Sequence, residues 1–271
     1  MKVKPWFLLG ISLLVAETGW AQTAPTQQEL ETRLKSQFLM LRGMWDGERL
    51  TFDTQGDLVG TAGKRFFSES AVVVEQVQLS DTELEIRGRR AGLEFSLNSF
   101  SNRLKISAKP YNKEDIDITI SRDPQRPEAL DDAINQVFSF GIDEKLAAAA
   151  PFYWQWLLGQ YLHLDLYKPE PTSTDQVNYP GGGVRNPILK YAPDDLIERA
   201  VNILHASGVS VIGLTVDVHG MPRNVHVVRP LGMGADEYAV AEVQQYRFEP
   251  AIYHGHGVPV DINIEVNFRP R

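Results

Sequence analysis

The C-terminal end of the chain carries the stretch that decides the fold, Val258-Pro259-Val260-Asp261-Ile262-Asn263-Ile264-Glu265-Val266-Asn267-Phe268. From Val260 onward, apolar residues occupy the even positions and polar residues occupy the odd positions. This period of two predicts a β-strand with one buried side and one side in solvent. The pattern is the most regular in the chain, so we treat this strand and the unit around it as the most promising place for function.

The residues before that strand complete a small α+β unit. A helix is predicted from about Asp195 to His205, with Asp194 as its N-cap and Gly208 as its stop. The predicted elements after it are a strand (Val209–Val218), a turn (His219-Gly220), a strand (Arg223–Arg229), a helix (Asp236–Tyr246) and the final strand. We therefore predict a small βαβ-type C-terminal domain over residues 188–271.

The N-terminal half has a different pattern. Short β-rich runs separated by turn residues fill residues 39–122, which predicts a mostly antiparallel β domain. They leave open whether it is a barrel, a sandwich or a curved sheet. Flanking helices are predicted after a capping box at Thr26 and Glu29, and again over Leu130–Phe138. The aromatic stretch Pro151–Leu158 is interpreted as core that plugs the β half, in preference to a binding platform.

The two ends of this half set the predicted domain boundaries. Residues 1–21 combine Lys2 and Lys4, a short apolar run and Gly19-Trp20-Ala21, as in a cleaved secretory signal peptide. We therefore predict a periplasmic protein with no retained membrane span, and an uncleaved anchor is the alternative. Residues 22–167 form the predicted β-rich domain. Residues 168–187, rich in proline and glycine, form a short linker.

Composition and motifs narrow the classes of function. A net charge of −8 argues against nucleic acid as a partner, and the absence of cysteine excludes disulfides and a lipid anchor on cysteine. No hydrolase or metalloprotease motif is present, so we predict no catalytic residues. A metal hypothesis rests on His254 and His256, with His219 at the hairpin. No acidic residue adjoins that pair, so we predict neither a metal nor a cofactor.

Four sequence features of the C-terminal unit carry a resemblance. They are Leu214-Thr215-Val216-Asp217 with Gly220, then Asn224–Arg229 leading to a Gly-x-Gly-x-Asp segment (residues 232–236), then Tyr246-Arg247-Phe248-Glu249-Pro250-Ala251, and Gly257-Val258-Pro259-Val260. With these features, residues about 185–269 resemble the TonB C-terminal domain family. The N-terminal half is similar to a β-rich region found before this domain in some bacterial TonB-like proteins.

The resemblance implies a fold and a way of binding. It implies a three-stranded antiparallel sheet with the final strand at its edge. In the family, this domain of an energy transducer binds a short segment of an outer-membrane receptor, which adds to that edge. The implied partner-binding residues are Val258, Val260, Asp261, Ile262, Asn263, Ile264, Glu265, Val266 and Asn267.

These expectations favour a non-catalytic, exported protein-interaction module. Its partner would be a segment of a periplasmic or outer-membrane protein, or a second copy of this chain in a homodimer. Two alternatives stay open. One is an energy transducer held by an uncleaved N-terminal anchor, and the other is a carrier that binds an apolar ligand or lipid in the β-rich half.

Overall fold

A computed structural model describes residues 24–97, 104–171, 183–193, 196–204 and 207–269. The chain is an α+β protein, as predicted, with a β-rich N-terminal region and an antiparallel sheet near its C-terminus. Its helices are α1 (Gln27–Lys35), α2 (Leu130–Val137), α3 (Glu144–Ala149), α4 (Phe152–Leu162), α5 (Leu196–Leu204) and α6 (Ala235–Val243). Its strands are β1 (Leu39–Leu41), β2 (Arg49–Phe52), β3 (Ala71–Leu79), β4 (Glu83–Leu97), β5 (Leu104–Ser121), β6 (Phe138–Phe140), β7 (Ile188–Tyr191), β8 (Gly208–Val216), β9 (Pro222–Arg229), β10 (Arg247–Glu249), β11 (Ala251–Tyr253), β12 (His256–Val258) and β13 (Val260–Phe268).

The N-terminal sheet has the strand order β2-β5-β4-β3-β1-β6 and is antiparallel except where β2 runs parallel to β5. Its two longest strands, β4 and β5, replace several of the short β-rich runs predicted within residues 39–122. The interruption in the sequence pattern of β4 is a bulge between Arg89 and Ala91. There the buried Arg90 donates hydrogen bonds to the carbonyl oxygens of Trp45 and Gly47 at 2.8 and 2.6 Å. A charged side chain therefore sits inside a continuous strand because its donors are satisfied.

The interior of this half is filled by its own side chains. Leu30 of α1, Phe52 of β2 and Ile118 of β5 belong to one buried apolar cluster. Helix α1 has the predicted capping box, in which the Thr26 N–H donates to Glu29 Oε2 at 2.8 Å and the Glu29 N–H donates to Thr26 Oγ1 at 3.3 Å. This cap satisfies first-turn donors and fixes the helix start over the sheet.

The C-terminal sheet is three-stranded and antiparallel, with the order β13-β8-β9, which confirms the predicted fold class of this unit. Strand β13 pairs with β8 from Val260–Val216 to Phe268–Gly208 without a register shift. The single strand predicted from Val258 to Phe268 is two strands, because Pro259 lies between β12 and β13. Val258 pairs with Ala251 of β11 instead of with β8.

The two halves share one hydrophobic core. Trp154 and Leu158 of α4 and Leu93 of β4 belong to the same buried cluster as Val227 of β9 and Ala239 of α6. Trp154, Leu157 and Leu158 of the aromatic stretch are therefore core and pack between the halves, whereas Phe152 is exposed and Trp156 is partly buried. The predicted signal peptide, the central linker residues 172–182 and the predicted cap Asp194 lie outside the described residues. Within the described ranges, no helix has the length and apolar character needed to cross a membrane.

Candidate functional site

The side chains of β13 divide between two faces, as the alternation predicted. On the apolar face, Val260, Val266 and Phe268 are buried, while Ile262 and Ile264 in the middle are only partly buried. On the polar face, Asp261 is partly buried, and Asn263, Glu265 and Asn267 are exposed. The predicted residue Val258 lies beyond the Pro259 break, in β12. The middle of β13 therefore offers an incompletely covered apolar surface on one side and polar groups on the other.

The two outer strands of the sheet differ in what lies beside them. Helix α4 packs against β9, and the chain after α4 returns to that strand as a segment that we call the strap (Tyr167–Pro171). Asn224 of β9 accepts a hydrogen bond from the Glu170 N–H at 2.8 Å and donates one to the Glu170 carbonyl oxygen at 2.9 Å. The Tyr167 hydroxyl donates to the Asn224 carbonyl oxygen at 3.0 Å.

In addition to pairing with β8, strand β9 therefore packs against α4 and forms hydrogen bonds with the strap. Strand β13 likewise has β8 as its only strand neighbour among the described residues, but it has no counterpart of the strap there. Its outward-facing N–H and C=O groups are the kind that an added strand satisfies.

An aromatic cluster joins α4 and the strap to the polar face of the sheet. The ring of His226 on β9 lies 4.8 Å from the Tyr167 ring and 5.4 Å from the Trp156 ring. A Cβ on Gly213 would lie 2.6 Å from His226 Nε2, so the absence of a side chain there makes room for the imidazole. Burial lowers the pKa of His226, which favours the neutral ring at neutral pH.

A cavity of about 380 Å³ lies between the strap and the polar face. We call it the strap pocket. Its lining includes Trp156, Tyr167, Glu170, Asp261 and Asn263, so it extends across the sheet from the covered strand β9 to β13. Asp261 Oδ1 accepts a hydrogen bond from Thr215 Oγ1 at 2.6 Å, which fixes the carboxylate over the sheet.

Two adjacent buried carboxylates, Asp236 and Glu237, lie where the C-terminal domain meets the N-terminal half. Asp236 accepts hydrogen bonds from Ser210 Oγ and from the N–H groups of Leu231 and Gly232, at 2.6, 2.9 and 2.7 Å. Glu237 accepts from the N–H and Oγ of Ser68, at 3.0 and 2.8 Å, and also from Trp154. All of these groups donate to the carboxylates. Asp236 therefore has a structural role within the C-terminal domain, and Glu237 connects the two halves.

Burial dominates the titration of this carboxylate pair. It raises the pKa of Asp236 to about 7, and the neighbouring charge of Glu237 acts in the same direction. Burial also raises the pKa of Glu237, against hydrogen bonds that favour its ionised form. Asp236 is the last residue of the Gly-x-Gly-x-Asp segment, one of the sequence features that carry the resemblance. Glu237 was missed, because its partners Ser68 and Trp154 are distant in the sequence.

The β8–β9 hairpin is organised by Asp217. Its carboxylate accepts hydrogen bonds from the N–H groups of His219 and Met221, both at 2.9 Å, and from Arg223 Nε at 3.0 Å. Burial acts to raise the pKa of Asp217, but these hydrogen bonds outweigh it and hold the pKa below its usual value. Gly220 in the turn has φ +79°, and its carbonyl oxygen accepts from the Phe248 N–H at 2.9 Å. Two of the recognised sequence features therefore meet at this turn.

The structure bears on two other hypotheses from the sequence, a metal site and a site for an apolar ligand. Among the described residues, no three histidine, aspartate or glutamate side chains form a group that could hold a metal ion. The ring of His254 instead lies 4.1 Å from that of Tyr253. A groove of about 1210 Å³ lies outside the filled interior of the β-rich half, between α4, the β4–β5 pair and the start of β8. Its apolar lining includes Leu104, Trp156 and Val209.

Comparison with known proteins gives one match. Residues 201–270 match the family model described as Gram-negative bacterial TonB protein C-terminal, which covers less than half of the chain. Neither the curated proteins nor the solved structures gave a match. The matched region contains the three-stranded sheet, the Asp217 hairpin and the edge strand β13. The C-terminal part of this chain is therefore similar to the TonB C-terminal domain, which is a type of protein-interaction module.

Proposed function

We propose that this chain is an exported protein-interaction module whose C-terminal domain receives an extended segment of a partner along β13. The observation that carries the proposal is a difference between the two outer strands of the sheet, each of which has β8 as its only strand neighbour among the described residues. Strand β9 is packed by α4 and is also hydrogen-bonded to the strap, whereas β13 is contacted by α5 and has no counterpart of the strap among the described residues. The partner in this proposal is a segment of a periplasmic or outer-membrane protein, as the family resemblance implies.

Backbone pairing supplies the general part of the affinity, and side chains on the two faces supply selectivity. A docked strand would place apolar side chains beside the partly buried Ile262 and Ile264. Its alternate side chains would lie beside Asp261, Asn263 and Glu265 on the polar face. Because Val258 lies in β12, the docking length on β13 runs from Val260 to Asn267, and Val258 borders its start.

The rest of the chain is proposed to support this module without performing catalysis. Residues 22–167 act as a second structural unit, and the linker of residues 168–187 starts with the strap, which covers β9. Residues 1–21 direct export to the periplasm. The hydrogen bonding of Asp236 and Glu237 supports a non-catalytic role, because three donors occupy each carboxylate.

Hydrogen–deuterium exchange on the full mature chain tests strand addition directly. We expect added synthetic peptides from periplasm-facing segments of outer-membrane receptors to slow exchange of β13 amides, while β9 amides stay unchanged. Adjacent residues of a strand point their N–H groups in opposite directions, so Asn263→Pro and Ile264→Pro form a matched pair. One of them removes an outward N–H and the other removes a bond to β8.

The variant that removes an outward-facing N–H should keep the fold and lose the peptide-dependent protection of the β13 amides. Peptide binding that leaves β13 exchange unchanged would show that docking occurs elsewhere. Light scattering distinguishes a peptide partner from a second copy of this chain on the same edge. A homodimer through β13 would form without any added peptide and would dissociate on dilution.

The groove of about 1210 Å³ favours a second candidate function, the binding of an apolar ligand or lipid. Trp156 lines this groove, so its fluorescence reports on occupancy. Titration with a fatty acid should change that fluorescence in the native chain but not in a Trp156→Phe variant. An unchanged signal across the titration would remove this candidate.

A further inference from the structure

The strap pocket reaches the docking edge from the polar side of the sheet. Asp261 and Asn263 of β13 form one end of its lining, and the strap residues Glu170 and Pro171 lie across from them. Asn263 is exposed, so this end of the pocket borders solvent next to the outer side of β13. Any side chain that a docked strand directs to the polar face at this level would lie beside the pocket, since adjacent strands are about 4.8 Å apart.

The charges around the pocket have one sign. Glu170 and Asp261 contribute carboxylates, His226 is kept neutral by burial, and the described lining contains no lysine or arginine. Two arginines of the same sheet form ion pairs with residues outside the pocket lining, Arg223 with Asp217 at 3.0 Å and Arg229 with Glu265 at 3.5 Å. Lys168 of the strap pairs with Asp165. The pocket is therefore an anionic recess beside the edge.

The walls of the pocket add a second feature that suits a cation. The rings of Trp156 and Tyr167 both line it. Aromatic faces attract ammonium and guanidinium groups, and they also pack against the aliphatic stems of lysine and arginine. A volume of about 380 Å³ lies at the small end of the range for ligand pockets and has room for one long side chain. The hydrogen bonds between Asn224 and Glu170 hold this wall in place.

We propose that the strap pocket receives a lysine or arginine side chain from the segment docked on β13. This inference rests on the proposed function and adds a selection rule to it. The preferred partner segment alternates apolar residues, which cover Ile262 and Ile264, with polar residues on the opposite face. One of those polar-face positions, the one level with Asp261 and Asn263, is basic. Thr215 fixes Asp261 in the orientation that pairs with this cation.

Three synthetic peptides test this rule on the full mature chain. They share one alternating apolar and polar sequence and differ only at the central polar-face residue, which is lysine, norleucine or glutamate. We expect the lysine peptide to bind about tenfold more tightly than the glutamate peptide, with norleucine between them, as measured by fluorescence anisotropy. The preference should shrink at high salt, because the pocket is open to solvent.

Matched variants test whether the strap pocket causes the preference for the lysine peptide. Asp261→Asn with Glu170→Gln should reduce the lysine preference to under about threefold, while Glu265→Gln, a carboxylate on the same face but outside the pocket lining, should preserve it. Equal affinity for the three peptides with protection of β13 amides would overturn the pocket and leave strand addition standing. A lysine preference without β13 protection would keep the pocket and overturn strand addition. Absence of binding by all three peptides would overturn both.

Discussion

Trp154 Nε1 donates a hydrogen bond to Glu237 Oε1 at 3.1 Å, and this bond joins α4 of the N-terminal half to α6 of the C-terminal domain. Both side chains are buried, with 0% and 4% of their surface exposed. The Trp154 ring also stacks on Phe95 of β4, with ring centroids 5.5 Å apart. One side chain thus contacts both halves, which makes it a sensitive point for measuring how they stabilise each other.

Trp154→Phe keeps an aromatic ring in this position but removes the donor to Glu237. We expect a loss of about 1–3 kcal/mol in the free energy of unfolding, because a buried acceptor loses a partner. Urea denaturation measures the change, and Trp156→Phe, at a partly buried position, is the control. Equal stability of the Trp154 variant and the native chain would contradict the structural role given to this bond.

Gly220→Ala tests the contact between the hairpin and β10. A Cβ on Gly220 would lie 1.8 Å from the Phe248 carbonyl oxygen, in addition to the strain of φ +79°. Gly255→Ala is a matched control, since Gly255 has φ +86° with no atom within 4 Å of the added Cβ. The control should lose about 1–2 kcal/mol from backbone strain alone. The Gly220 variant should lose clearly more, and thermal unfolding of both variants compares them.

The buried Asp236 predicts a pH dependence of stability. Its pKa is raised by burial to about 7, whereas the unfolded chain has the ordinary value of about 4. Between these values the native state binds the proton more tightly, so the free energy of unfolding should fall as pH rises from about 4 to 7. Glu69, whose pKa burial also raises to about 7, acts with the same sign.

Asp236→Asn should therefore reduce the fall in stability between pH 4 and 7. Glu69 and Glu237 contribute to the remaining slope with the same sign as Asp236, and His226, whose pKa burial lowers, contributes with the opposite sign. Urea denaturation at a series of pH values measures the slope. An identical slope in the variant would show that Asp236 does not carry a raised pKa.

Asn224→Gly tests how the strap is attached. The substitution removes the two hydrogen bonds to Glu170, and glycine adopts the φ of +50° at this position without strain. We expect the Glu170 amide to exchange faster, as measured by hydrogen–deuterium exchange. Asn263→Gly on the exposed strand β13 is the control and should leave Glu170 protected. Unchanged protection in the Asn224 variant would mean that the aromatic contacts alone hold the strap.

Local sequence patterns predicted much of the fold. The capping box at Thr26 and Glu29, the hairpin around Gly220 and the alternation of β13 all depend on residues close together in the chain. The long strands β4 and β5 were missed because the bulge near Arg90 interrupts their period, and the carbonyl partners of Arg90 lie more than 40 residues away.

The sequence predicted only part of the candidate site, because local patterns do not relate residues that are distant in the chain. Periodicity identified β13 and its two faces. The cover over β9, however, depends on Glu170 and Asn224, which are 54 residues apart, and no local pattern relates them. The core contact between Trp154 and Glu237 spans 83 residues. Aromatic composition alone therefore indicated a core role for α4 without indicating what it packs against.

The shared core also has an evolutionary consequence. A TonB C-terminal domain that folds by itself can be moved between genes as a cassette. Here, a gene fragment cut between the two halves would leave Trp154 and Leu158 of one product, and Val227 and Ala239 of the other, without the neighbours that bury them. Recombination at that point would be selected against, so the two halves are expected to be inherited and to diverge together.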